Sequence, residues 1–492
     1  MELQFTTNTS EYLKEIFCDT ISQEETGEVL VPDSYPDVER MLDCSATVVL
    51  RSKDSQQVSG AILATALYAP EDFGTPKALE YYIPFRIKCQ GAAGGTVVDC
   101  HVQSADARML GPRKVLVRVR LAGTVKGYDK EQEERYTYDP QPGEDLELMT
   151  NTYTILRPVE LSEKTFTISE ELELSPGGVA MEKVIHHHVC PQITEAKMMG
   201  GKGVFKGHLA GKILYEAQES LYTWEFEVPF SQYVDVLGDY DQEELQVTPM
   251  LTEVQLDGLG NGGCLLHAQL LTQCAVLGKH QMEVVEDAYS LGHQFLPQWK
   301  VLTPTSRLNQ QTFTQVGRYM APCPAKTMVY TQCWLGEPEV FQRNQRREII
   351  VPVYGSLLYE DVQGQHQCHN AKFEVKFETE MWEDCICHPT ATLSGAPVAL
   401  VAGDEVELRC PLTLQVEIWS ETQMQTLCGG ELTEPLDKKT YPSVILRPVG
   451  EGDTLWSLAK GCRTTARAIQ QANQMGEQEQ IQSKMLLIPI VK

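Results

Sequence analysis

The sequence predicts a mainly β protein: tandem antiparallel β-sandwich or barrel-like modules, followed by a small α+β domain of order strand, helix, helix, strand. Three observations carry this. A spaced pattern of glycine, Leu-Tyr and apolar-Pro-Phe recurs along the first four-fifths of the chain. Each recurrence closes on an alternating apolar run, the period of a half-buried strand. Near residue 453 the apolar period changes from 2 to that of a helix.

The repeat reads as follows. "VSGAILATALY" ends at Tyr68 and "FKGHLAGKILY" at Tyr215, each with a glycine eight residues earlier (Gly60, Gly207) and a leucine just before the tyrosine (Leu67, Leu214). "YYIPF" (Tyr81 to Phe85) and "FEVPF" (Phe226 to Phe230) follow. The third copy has "YGSLLY" ending at Tyr359 and "FEVKF" ending at Phe377, with Val351 at the glycine position and Lys376 at the proline position. "VERML", "MEKVI" and "KTMV" end 26, 30 and 30 residues before the three tyrosines. The closing runs are "VLVRVRLAGTV", "CLLHAQLLTQCAV" and "VELRCPLTLQVEI". In the first, Arg118 and Arg120 face away from the valines. The repeated glycine marks a bulge or a close backbone approach, and the proline marks an edge strand, since it has no N–H to give an interior ladder. These copies divide the chain into modules at 1–150, 151–295 and 296–432, with linkers expected around 128–153, 286–312 and 430–442, and a terminal domain at 441–492.

In the terminal domain, "SVILRPV" (Ser443 to Val449) and "MLLIPI" (Met485 to Ile490) are short strands. Between them Leu455, Leu458, Ala459 and Cys462 make an amphipathic helix with Asp453 as the expected N-cap. Thr464 or Thr465 caps a second helix with an Ala468, Ile469, Ala472 face, and Asn473 suits a left-handed C-cap. The domain is read as a separately folding knob on an all-strand shaft.

The formal charge of −27 is unevenly spread. From Tyr441 onward there are six basic and four acidic residues, leaving 35 basic against 64 acidic in the body. A body of net −29 repels phosphate backbones and anionic lipid, which argues against nucleic-acid binding and direct membrane insertion. "MELQFTTNTSEYLKEIF" lacks a basic region followed by an apolar stretch, and no apolar run approaches the roughly 18 residues of a membrane span. The fifteen scattered cysteines then read as reduced thiols of a cytosolic protein.

The tandem "G…LY…PF" modules, entered by "VPDSYPDVERML" (Val31 to Leu42), resemble SPOCS domains of spore-coat and spore-envelope proteins in endospore-forming bacteria, over roughly residues 20–430. The tail, with "V-x-x-G-D-T-L-W" from Val449, Ala472–Asn473 and "L-x-I-P" ending at Pro489, resembles a LysM domain. That resemblance implies recognition of N-acetylglucosamine-containing glycan in a shallow groove. Gly452, Asp453, Thr454 and Leu455 would line one side, with Trp456 beside them, and Ile481, Gln482 and Ser483 the other. The chain departs from the LysM pattern at Arg447, where tyrosine is frequent, and at Gln482–Ser483, where Pro-Gly is common; the second lies in the groove loop. A protein partner is therefore weighed beside the glycan. Joined to SPOCS modules, the tail resembles coat-morphogenesis scaffolds. Such scaffolds act in the mother-cell cytoplasm at the forespore surface and tether the coat's basement-layer morphogenetic ATPase, and other coat proteins, there. The alternative is a glycan-binding accessory protein of spore cortex or cell wall. Trp456 serves either as core filler or as a partner contact, and Arg463 and Arg467 favour an acidic partner.

No pattern of catalytic residues appears, and neither enzyme activity nor a cofactor is expected. Of "HHH" (His186 to His188) only His186 and His188 share a strand face. His366, Cys368, His369, Cys385, Cys387 and His388 are the residues that would hold a metal, but they lack Cys-x-x-Cys knuckles, and none is expected to be bound. Around Gly207, Gly211 and Lys212 a phosphate loop would be one residue too short, with Ile213 where Ser or Thr should be.

Overall fold

The structure, a computed structural model, describes the chain except residues 1, 4, 73, 139–144, 175–177, 241, 260–261, 344–345, 381–383, 438–441, 477–484 and 491–492. It is mainly β, with two short helices near the C-terminus. After β1 (Glu2–Leu3) comes a sandwich of β2 (Thr6–Leu30), β3 (Val38–Lys53), β4 (Gln57–Pro70), β5 (Lys77–Lys88), β6 (Gly95–Gly111) and β7 (Lys114–Thr137). Its two antiparallel sheets run β3-β4-β5 and β2-β7-β6. Strands β8 (Leu146–Leu172), β9 (Lys183–Met199), β10 (Lys202–Ala217), β11 (Ser220–Asp235), β12 (Glu244–Gly258) and β13 (Cys264–Ser290) repeat the plan, as β9-β10-β11 and β8-β13-β12.

Strand β14 (His293–Leu302) intervenes before the third sandwich. That sandwich comprises β15 (Thr305–Ala321), β16 (Ala325–Leu335), β17 (Glu339–Arg343), β18 (Arg346–Asp361), β19 (His366–Glu380), β20 (Cys385–Leu393), β21 (Val398–Ala402) and β22 (Glu405–Glu421). Here β18 is flanked by β16 and β19, and β22 by β15 and β20. Strand β23 (Met424–Pro435) pairs with β1 and β14 in a small extra sheet. The segments expected as linkers are therefore largely strand. Glu134 of β7 pairs with Lys300 of β14 on the surface, while Glu133 and Arg307 of the same segments are buried between sandwiches.

The repeat motif is a cross-strand device. Gly60 is the register partner of Phe85, and Gly207 of Phe230. A Cβ on Gly207 would run into the Gln192 carbonyl oxygen and lie 2.7 Å from the Phe230 ring. The glycine admits the aromatic ring across the ladder. In the third copy the register departs from the expected alignment: Val351 faces Val375, both buried, while Phe377 faces Ile349. The proline-bearing strands β5 and β11 are edges, as their Pro84 and Pro229 require. Gly200 and Gly201 take φ of 60° and 70° in the β9–β10 hairpin, while Gly207, Gly211 and Lys212, where a phosphate loop was considered, lie within strand β10. Replacing Gly207 by valine overpacks this site and should cost about 1–3 kcal/mol. Urea denaturation of the variant beside wild type would measure it, and an unshifted midpoint would refute the pairing.

The sandwiches close on one another. In each, the strand entering the meander carries a bulge opposite the Leu-Tyr step of the next strand, leaving Leu42, Ile185 and Val329 without a register partner. One buried cluster joins Leu42 and Leu67 of the first sandwich, Ile185 and Leu214 of the second, and Tyr330 and Leu358 of the third, with Val329 packed against it. Equivalent residues of three modules thus meet at one point, in a pseudo-threefold arrangement rather than an extended shaft. Asp43, His186 and Tyr330 occupy equivalent register positions beside this cluster and are 5%, 2% and 2% exposed. His186 Nε2 lies 3.7 Å from Asp43 Oδ2, Ser356 Oγ donates to Asp43 Oδ1 at 2.5 Å, and the His186 ring meets the Tyr330 ring edge-on at 4.6 Å.

Candidate binding surface

The C-terminal domain is built from β24 (Val444–Pro448), α1 (Leu455–Cys462), α2 (Ala466–Ala472) and β25 (Met485–Pro489), the expected order. The two strands pair antiparallel. Leu458, Ala459, Ile469, Leu486 and Ile488 form its core. Thr454, not Asp453, is the N-cap of α1. Its Oγ1 accepts the Ser457 N–H at 3.0 Å while Ser457 Oγ accepts the Thr454 N–H at 2.9 Å, a capping box. Asp453 instead closes the preceding turn, its Oδ2 accepting the Gly450 N–H at 2.9 Å. Gly452 in that turn has φ +87°, a conformation that favours glycine. Thr465 caps α2. Asn473 is not left-handed; its amide nitrogen donates to the carbonyls of Ile469 and Leu487, and its Oδ1 accepts the Leu487 N–H, fixing α2 to β25.

Of the expected groove, Gly452 and Thr454 are exposed, and Asp453, Leu455 and Trp456 half-buried. Ile481, Gln482 and Ser483 lie outside the described residues. The described rim therefore offers a glycine turn, a threonine hydroxyl and the edge of one leucine.

Trp456 has a partner in the body. Its Nε1 donates to Asp287 Oδ2 at 2.8 Å, and its ring meets that of Tyr289 at 4.9 Å. Lys460 Nζ donates to both Asp287 oxygens at 2.6 and 2.8 Å. Tyr289 Oη donates to the Thr464 carbonyl at 2.7 Å, and Arg463 Nη1 to the Ser290 carbonyl at 3.1 Å. Tyr289 and Leu291 complete the small domain's core. The domain is thus seated on the end of β13, and the basic tail finds its first acidic surface within its own chain. Burial pushes the Asp287 carboxyl up, but the hydrogen bonds from Lys460 and Trp456 outweigh it, and the net shift is downward. A carboxylate held below its ordinary pKa supports the contact above about pH 4 and releases it only as the pH falls through the lowered value. Asp287 and Tyr289 were missed in the sequence because they fall in a stretch read as linker; the one local signal was their shared face, two residues apart.

Residues 180–257, spanning β9 to β12, match the family model described as SipL, SPOCS domain; residues 449–488 match the LysM domain model. The chain joins SPOCS to LysM. No curated protein and no solved structure matches it. SPOCS marks a sporulation-related protein, LysM is a peptidoglycan-binding module, and both are non-catalytic binding domains. Among the described residues no helix is long and apolar enough to cross a membrane. The SPOCS match lies within the second sandwich, whose strand order the first shares and the third extends with β17 and β21.

The remaining chemistry-bearing residues are dispersed over the β body. His366, Cys368 and His369 lie on β19, and Cys385, Cys387 and His388 on β20, in different sheets. Cys368 Sγ is 3.5 Å from Ser356 Oγ, and the His369 ring stacks near Tyr319. The Arg347 guanidinium sits against Cys387 Sγ and donates to the Cys385 carbonyl at 3.0 Å, placing a cation of the chain's own there. His388 turns to Glu15 and Cys18 of the first sandwich.

Proposed function

We propose that this chain is a non-enzymatic scaffold of endospore coat assembly. LysM acts as its docking module and tethers the coat's basement layer, through that layer's morphogenetic ATPase, to the forespore surface from the mother-cell cytoplasm. The SPOCS body offers a second surface to other coat proteins. The supporting observation is the coupling of two non-catalytic binding domains through a built contact at Asp287 and Tyr289. A partner on LysM is thereby held at a fixed place relative to the body, and two contacts on one chain give an avidity that neither has alone. The LysM rim for this partner is Gly452, Asp453, Thr454 and Leu455, joined by Ile481, Gln482 and Ser483.

Deletion of residues 441–492 is expected to abolish recruitment of the chain to the forespore surface in sporulating cells. Thermal melting of the purified truncated chain shows that its body is still folded. Normal recruitment of a folded, truncated chain would overturn the reading. The LysM match itself favours a second reading, a peptidoglycan- or N-acetylglucosamine-binding accessory protein of spore cortex or cell wall. Titration with chitin oligomers separates the two: saturable binding well below millimolar supports the glycan role, and none disfavours it.

A further inference from the structure

The ring of three sandwiches closes where β2 of the first meets β20 of the third. Glu15 and Cys18 stand three residues apart on β2, a spacing that puts side chains on opposite faces of a regular strand. The register shifts between Glu15 and Phe17, leaving Ile16 as an extra residue. That bulge turns both donors to one side. His388 of β20 reaches between them, with Nδ1 4.0 Å from Cys18 Sγ and Nε2 3.8 Å from Glu15 Oε1. The three donor atoms lie within 4.8 Å of one another, and all three residues are half-buried.

The corresponding seam between the second and third sandwiches is closed differently. There β15 has the same kind of bulge, at Leu308, and the preceding residue is Arg307. Its guanidinium pairs with Glu244 of the second sandwich and with Glu417 at 3.2 Å. At the first–third seam the pseudo-equivalent residue is Glu15. The nearby cation Lys126 stands 4.0 Å from the other oxygen of Glu15, Oε2. So one seam is bound by a guanidinium, while the other gathers a thiol, an imidazole and a carboxyl.

We propose that Glu15, Cys18 and His388 form a zinc-binding site that clasps the first and third sandwiches. Thiolate, imidazole and carboxylate are the donors of three-ligand zinc sites, with water in the fourth position. Zinc binding displaces the Cys18 thiol proton to solvent, and the thiolate and carboxylate together neutralise the ion. His388 Nδ1, which faces Cys18, is the coordinating nitrogen. Zn–S and Zn–N bonds of about 2.3 and 2.0 Å in a tetrahedron put sulfur and nitrogen about 3.5 Å apart, which the 4.0 Å spacing present reaches with a small side-chain adjustment. Glu15, with three side-chain torsions, swings in to complete the set.

The test uses the full-length chain without a histidine tag, equilibrated with zinc sulfate and then desalted. Elemental analysis should find about one zinc per chain in wild type and in a C387S control, and far less in C18S and H388A. Cobalt(II) in place of zinc should give a near-ultraviolet thiolate-to-cobalt absorption in wild type that C18S loses. Zinc should also raise the wild-type melting temperature. Wild-type zinc well below one per chain, or uptake and cobalt absorption unchanged in C18S, overturns the site. Should C18S fail to fold, the wild-type cobalt spectrum decides: thiolate absorption at one equivalent supports the site, and its absence overturns it.

Discussion

Replacing Arg157 by methionine should cost about 3–5 kcal/mol, because it strands the Glu133 carboxylate inside the seam between the first and second sandwiches. Arg157 of β8 donates from Nη1 to Glu133 Oε1 at 3.1 Å and from Nη2 to Glu133 Oε2 at 2.7 Å, a forked pair. The two side chains are only 2% and 8% exposed. The guanidinium also lies over the Tyr12 ring, 3.6 Å from its centroid, so one cation serves two residues of the neighbouring sandwich. Most of the cost comes from the carboxylate left behind rather than from the pair itself. A double replacement, Arg157→Met with Glu133→Met, should therefore recover much of the loss. Urea midpoints of the single and double variants measure this. A single variant within about 1 kcal/mol of wild type, the level of an exposed ion pair, would contradict the burial argument.

Such seams mark the boundary of what the sequence discloses. The Gly60–Phe85 and Gly207–Phe230 pairs were visible as a repeat because they are local, and their meaning is one strand pair wide. In the third copy the sequence spacing aligned Phe377 with those aromatics, but the ladder sets Phe377 against Ile349. Across the ladder, Val351 and Val375 fill the same space together. The alternation in "VRVRL" was legible for the same reason: Val115, Val117 and Val119 are fully buried while Arg118 and Arg120 pair outward with Glu24. Charged stretches misled, since a long strand with a solvated face has the composition of a linker. In LysM the order of elements was legible, but the capping residue was not. Asp453 and Thr454 are both good caps, and Ser457, three residues after the threonine, decides between them. The role of Trp456 was beyond sequence altogether, because Asp287 lies 169 residues away.

The axis where the sandwiches meet makes the fold acid-sensitive through histidine. Burial holds the His186 imidazole down to about 3, and the neighbouring His187, His188 and Lys212 charges push it the same way. Burial likewise holds His187 and His188 down to about 4. An unfolded histidine binds a proton near pH 6.5, so below that value the unfolded chain takes up protons that the folded one refuses. Stability is therefore full above about pH 6.5 and falls as the pH drops toward 4. Asp43, facing His186, acts in the opposite direction. Burial raises its carboxyl despite the hydrogen bonds from Ser356 and the Cys44 backbone, so its contribution is present at low pH and fades as the pH rises through the raised value. With three imidazoles against one carboxyl, the net loss between pH 7 and 5 should be on the order of 2–4 kcal/mol. The measurement is the urea midpoint at half-unit pH steps. His186→Gln should flatten the acid limb by about one proton, roughly 1.4 kcal/mol per pH unit, and Asp43→Asn should steepen it. An H186Q curve parallel to wild type would mean that folding does not shift the His186 imidazole, and one steeper than wild type would mean that the ring carries a proton paired with Asp43.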